Sequence, residues 1–167
     1  LEFLERIGLG ACLADDMGLG KTIQLLALLA RERELAAADA QATGGLGESA
    51  TKVLPTLLIV PMSVVGNWIH ETRRFCPHLK VLVHHGVERL SGESFLNSAR
   101  SSDLIITTYS LAHRDRERFE QVQWGRVVLD EAQYIKNPST KQTQAVRAIQ
   151  ADRRIALTGT PVENRLS

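Results

Sequence analysis

Apolar residues along this chain come in short continuous runs, and between the runs they recur at every third or fourth position. ACLA (11–14), TLLIVP (56–61), LKVLVHH (79–85), DLIITTY (103–109), RVVLDEA (126–132) and RRIALTGTP (153–161) are rich in Val, Ile and Leu. Runs without polar alternation belong to strands covered on both faces, so they predict a mainly parallel sheet. KTIQLLALLARERELAAA, from Lys21, has the Ala and Leu content of a helix. SVVGNWIHETRRF (63–75) sets Val64 against Trp68 and Val65 against Ile69 at i, i+4 on one helical face. A short helix is predicted near 93–100, and Ser139 with Gln142 makes a capping-box pattern that opens another through Ile149. RDRERFE (114–120) alternates in charge sign and reads as a solvated helix or loop. Residues 39–55 mix Gly, Ala, Ser and Thr without an apolar period and read as a mobile surface loop. Strand and helix in alternation predict a three-layer α/β/α fold.

The 167 residues suit one domain, and 44% hydrophobic with 23% charged residues is the balance of a soluble globular chain. A net charge of +1 gives no general attraction to polyanions, so any nucleic-acid contact has to come from a local patch. No run of eighteen apolar residues and no export signal is present, which predicts an intracellular protein without a membrane span: cytoplasm or nucleoid in a prokaryote, nucleus in a eukaryote. Leu1 in place of an initiator and a polar end at Ser167 read as a segment cut from a longer chain. Cys12 and Cys76 are far apart without C-x-x-C partners, which argues against a disulfide framework or zinc knuckle and reads as two buried thiols. His84 and His85, adjacent on a strand, point to opposite faces and are read as structural or surface residues. Trp68 is read as core.

Chemistry concentrates at three strand ends. DDMGLGKT (15–22) departs from G-x-x-x-x-G-K-[ST] by placing Asp15 first, but aspartate enters turns readily and that position need not touch phosphate. Gly18 and Gly20 let backbone N–H groups turn inward on a polyphosphate at a helix N-terminus. Lys21 then reaches the terminal phosphates, and the Thr22 hydroxyl suits Mg²⁺. Asp130 and Glu131 leave their strand where ligands of open α/β sheets collect, one suited to hold Mg²⁺, the other to deprotonate an attacking water. A D-E pair alone is a weak signal; the upstream loop gives it meaning. Thr158 and Thr160 in LTGTP offer hydroxyls to the acids or the γ-phosphate.

LADDMGLGKTIQ, LLIVPMSVVGNWIHE, LIITTYS, VVLDEAQYIKN and IALTGTPVENRL, in this order, resemble the first RecA-like lobe of the Swi/Snf family, the double-stranded-DNA translocases of helicase superfamily 2. The resemblance runs from Leu13 to Leu166 and makes Asp15 a family mark. It implies a RecA-like P-loop NTPase lobe over residues 1–167, with ATP held by Asp16, Met17, Gly18, Leu19, Gly20, Lys21, Thr22 and Gln133. Lys21, Asp130 and Glu131 are implied as catalytic, with Mg²⁺ on Thr22 and Asp130. Gln133, in a DEAQ box where the family more often has histidine, is implied to bridge the ATP site to Thr158, Gly159 and Thr160. Ser63, Asn67, Thr107 and Thr108 fall in blocks that contact the DNA sugar-phosphate backbone. The family's adenine-recognising segment has no match before Leu13. Its second RecA-like lobe, which brings arginine fingers, is expected as a partner from the same parent chain, so this stretch alone is expected to hydrolyse ATP poorly. The alternatives are a lobe of another superfamily 2 helicase, or a non-catalytic module using the fold to bind DNA or protein.

Overall fold

Six strands form where the apolar runs predict them: β1 (Ala11–Ala14), β2 (Thr56–Val60), β3 (Val81–Val83), β4 (Leu104–Thr108), β5 (Trp124–Leu129) and β6 (Ala151–Thr158). The computed structural model describes residues 11–14, 20–42, 53–135 and 137–159. The strands make one sheet in the order β1-β6-β5-β2-β4-β3, and every neighbouring pair is parallel. The carboxyl ends of all six therefore lie along one edge.

The helices are α1 (Gly20–Ala42), α2 (Val65–Phe75), α3 (Gly92–Ser101), α4 (Tyr109–Arg114), α5 (Arg116–Glu120) and α6 (Lys141–Ala148), with 3-10 turns at Met62–Val64 and Ala132–Ile135. Strand side chains alternate between two cores. Leu58 and Val60 of β2 pack with Leu25, Leu29 and Trp68 under α1 and α2. Leu57 and Ile59 pack with Phe95, Phe119 and Val146 under α3, α5 and α6. Two apolar layers on one parallel sheet explain why the strand sequences lack polar alternation; the three-layer α/β/α architecture is as expected.

Three local expectations need correction. The helix after Lys21 continues through Ala42, because its Ala-rich end keeps helix propensity past Asp39, where a loop was expected to begin. At the other end of the expected loop, the Gly125 N–H donates to the Pro55 carbonyl at 3.0 Å and ties the approach to β2; residues 43–52 lie outside the described residues. The cap of α6 is Thr140, whose hydroxyl accepts from the Thr143 N–H at 3.2 Å, while Ser139 bonds Asn137. RDRERFE is not wholly solvated: Asp115, between α4 and α5, is buried.

Candidate active site

β1, β6 and β5 are neighbours, so the segments leaving their carboxyl ends meet at one place on the sheet edge. Lys21 and Thr22 open α1 beyond β1 and are both buried. Asp15, Asp16, Met17, Gly18 and Leu19, between them and β1, lie outside the described residues, as does Thr160. Gly20 is the first residue of α1.

Asp130 comes directly after β5, and each of its polar atoms is held. Its N–H donates to the Ile59 carbonyl at 2.9 Å. Oδ2 accepts from the Trp68 indole at 2.8 Å, Oδ1 from the Glu131 N–H at 2.9 Å, and the carbonyl from the Tyr109 hydroxyl at 2.6 Å. Burial pushes the Asp130 carboxyl above the usual carboxylate range, and the Glu131 charge pushes the same way. Trp68, the Glu131 N–H and the charge of Lys21 oppose that shift.

Glu131 takes a left-handed backbone, φ 50°, which a glutamate adopts only under local constraint. Its carboxylate accepts from the Gln133 side-chain amide, and the carbonyl oxygen of that amide accepts from the Thr158 hydroxyl at 3.1 Å. A continuous chain of hydrogen bonds thus joins the acid after β5 to the end of β6, with Gly159 next to it.

Beyond the acids, the ends of β2, β3 and β4 border a cleft of about 970 Å³ lined by Ser63, Arg89, Thr108, Tyr109, Arg114 and Tyr134 among others. The Thr108 hydroxyl caps α4, accepting from the Leu111 N–H. Thr107 is different. It is fully buried and its hydroxyl donates to the His84 carbonyl at 3.1 Å, so it faces the interior rather than the cleft. Strand alternation separates these two neighbours. Asn67 is exposed on α2 and does not line the cleft.

One wall of the cleft is tied down by Asp115, whose Oδ2 accepts from His84 Nε2 at 2.8 Å and from Arg89 Nε at 2.7 Å, with Arg118 at 3.3 Å. The His84 ring sits edge-on to Phe95 and Phe119, at 4.8 and 5.2 Å. Burial lowers the His84 pKa despite the Asp115 contact. Burial acts upward on Asp115, but the hydrogen bonds from Arg89 and His84 and the charge of Arg118 hold its carboxyl below the usual range.

Sequence reasoning missed Trp68 and Tyr109 as site residues. Trp68 is indeed core, yet a buried indole N–H needs an acceptor, and that requirement was the available signal.

Known proteins are similar to this chain over almost its whole length. The Bacillus subtilis (strain 168) protein YwqA, whose name describes an ATP-dependent helicase/translocase, is 44% identical over 167 residues, which is 100% of this chain and 17% of YwqA. The TATA-binding protein-associated factor MOT1 of Saccharomyces cerevisiae is 37% identical over 168 residues, 99% of this chain and 9% of that protein. The chain therefore spans less than a fifth of these relatives. Among solved structures, the Sulfolobus solfataricus SWI2/SNF2 ATPase core in complex with dsDNA superposes with a TM-score of 0.75 at 41% identity, covering 98% of this chain and 30% of that one. Residues 3–167 match the family described as SNF2-related domain, and to that family the chain belongs.

Proposed function

We propose that this chain is the ATP-binding lobe of an ATP-driven double-stranded-DNA translocase, with Lys21 on the terminal phosphates and Glu131 activating the attacking water. The observation that carries this reading is the strand order β1-β6-β5, which sets Lys21 and Thr22 at the start of α1 and the Asp130–Glu131 pair after β5 along one edge of the sheet, although they are far apart in sequence. Lysine and acids at one sheet edge suit phosphoryl transfer, where catalysis is mostly positioning and charge stabilisation.

Thr22 and Asp130 are the residues to hold Mg²⁺. Both offer oxygen donors, as that ion prefers, and among the described residues no group of three His, Cys, Asp or Glu side chains offers a full protein cage. That fits an ion that keeps waters and phosphate oxygens as its remaining ligands. Bound there, Mg²⁺ supplies neutralisation of phosphate charge. Trp68 and the Glu131 N–H orient the Asp130 carboxylate; Gln133 fixes the Glu131 carboxylate and relays its position to Thr158 and Gly159. Asp16 through Gly20 complete the phosphate cradle in this reading, as does Thr160 the relay.

The cleft at the ends of β2 and β4 is the proposed site for the DNA sugar-phosphate backbone, with Ser63 and Thr108 in its lining and Thr107 supporting from behind, while Asn67, outside the lining, is proposed as a separate backbone contact on the exposed side of α2. Phosphate contacts there position the enzyme without reading sequence. The DNA-bound state of the structurally similar Sulfolobus core supports duplex as the ligand. A second RecA-like lobe in the same parent chain is the proposed partner across the ATP site. Among the described residues no helix is long and apolar enough to cross a membrane.

The test is ATP turnover by the full-length protein with and without duplex DNA. Lys21→Ala and Glu131→Gln are each expected to lower it by about a hundredfold or more. Undiminished turnover in either variant overturns the assignment.

A further inference from the structure

Asp130 is held by two separate elements, one in each core layer, and each is continuous in sequence with a residue that lines the cleft. The 3-10 turn Met62–Val64 carries Ser63 into the cleft, and one turn further Trp68 of α2 donates to Asp130 Oδ2. β4 ends at Thr108 in the cleft, and the next residue, Tyr109, donates to the Asp130 carbonyl. The Tyr109 ring lines the cleft and stacks on Tyr134, with centroids 5.7 Å apart and planes within 10°. Tyr134 is itself 58% exposed, so the stack continues from the cleft surface into the buried hydroxyl.

These two contacts act on the geometry of Glu131. The Asp130 carbonyl and the Glu131 N–H belong to one peptide plane, which is rigid. Tyr109 fixes one edge of that plane. The other edge, the Glu131 N–H, is bonded to Asp130 Oδ1, and the companion Oδ2 is fixed by Trp68. Immediately beyond lies the left-handed Glu131 backbone, where a small rotation of the plane redirects the carboxylate. A ligand that shifts the Tyr109–Tyr134 stack or the start of α2 therefore acts on both acids at once.

We propose that Trp68 and Tyr109 are positioning residues through which occupancy of the cleft by duplex DNA sets the catalytic geometry of Asp130 and Glu131. This rests on the cleft being the duplex site. Neither side chain touches the nucleotide in this scheme; they align the acids when the backbone of the duplex presses on Ser63, Thr108 and Tyr134.

The experiment measures steady-state turnover in the full-length protein, without DNA and across a duplex titration, for the wild type, Tyr109→Phe and Trp68→Phe. Tyr109→Phe keeps the ring and the stack and loses only the hydroxyl. Expected is a DNA-stimulated kcat lowered about tenfold, with the KM for ATP and the half-saturating duplex concentration each within about twofold of wild type. Full stimulation in Tyr109→Phe overturns the coupling while leaving the duplex reading intact. Loss of stimulation accompanied by an equal loss of duplex affinity also overturns it, since the residue then acts in binding. Wild-type protein that fails to bind duplex in a salt-dependent manner overturns the duplex reading and the coupling with it. If Trp68→Phe fails to fold, as judged by its thermal melt, Tyr109→Phe decides alone.

Discussion

The hydroxyl of Thr158 donates to Oε1 of Gln133 across 3.1 Å, so the last residue of β6 holds the turn after β5. The other end of the same amide donates to Glu131. An amide performs both tasks because it carries a donor and an acceptor, and a neutral imidazole does so as well. Gln133→Leu and Thr158→Val are therefore expected to lower kcat in the full-length protein about tenfold with little change in the KM for ATP. Gln133→His is expected to retain most of the activity. Steady-state kinetics of the three variants check this; equal kcat in all of them refutes the relay.

The His84–Asp115 contact predicts an acid-sensitive fold. His84 is buried beside Asp115, Arg89, Arg118 and the Phe95 and Phe119 rings, and its Nδ1 meets no hydrogen-bond partner among the described residues. Its folded pKa lies below the ordinary histidine value of 6.5, so the unfolded chain binds the proton first. Stability from this group is complete above pH 6.5 and declines as pH falls through the folded pKa. Asp115, also lowered, adds a further loss below its ordinary value of 3.8. Asp130, raised by burial, works in the opposite direction above 3.8. Thermal melts are expected to fall between pH 7.5 and 5.5, and His84→Gln, whose amide can still donate to Asp115, is expected to flatten that slope. An unchanged slope in the variant removes His84 as its source.

The sheet was legible because burial on both faces leaves a direct mark: uninterrupted runs such as LLIV and LIIT. The acids were legible because they end such a run. Asp115 was not, since its partners His84 and Arg89 are 31 and 26 residues away and charge alternation in RDRERFE carries no trace of them. Trp68 and Tyr109 were hidden for a related reason: their rings satisfy the apolar pattern, and only the fold shows what their polar tips reach. Thr107 and Thr108 look equivalent in sequence, and the strand's two-residue period sends one inward and the other to the cleft.

Far from the site, Glu32 on α1 receives Arg126 Nη2 from β5 at 2.7 Å and Arg153 from β6 at 3.4 Å. Arg126 is 3% exposed and also donates to the Thr56 hydroxyl at 3.4 Å. Removing the carboxylate takes a charge partner from a guanidinium that is almost wholly buried. Glu32→Ala is expected to cost about 2 kcal/mol, below the range for fully enclosed pairs because Glu32 keeps partial access to water. Glu120→Ala, which breaks the exposed Arg116–Glu120 pair, is expected to cost about 0.5 kcal/mol or less. Urea denaturation of both variants checks the contrast, with the slope m held constant.

Glu131 alone among the described non-glycine residues has positive φ, and that predicts an inversion of the usual order of alanine and glycine. In ordinary helical positions glycine is the less stable of the two by about 0.5–1 kcal/mol, because its unfolded chain has more freedom to lose. In the left-handed region the Cβ of alanine crowds the backbone, at a cost of about 1–2 kcal/mol that glycine escapes. Both substitutions remove the carboxylate and with it the contact to Gln133, so their difference isolates the backbone. Glu131→Gly is expected to be more stable than Glu131→Ala by about 1 kcal/mol, with turnover abolished in both. Denaturation midpoints measure the difference. Alanine equal to or more stable than glycine would mean that the left-handed turn is not held in solution, and the orientation of the acid at the end of β5 would then have to come from Gln133 and Thr158 alone.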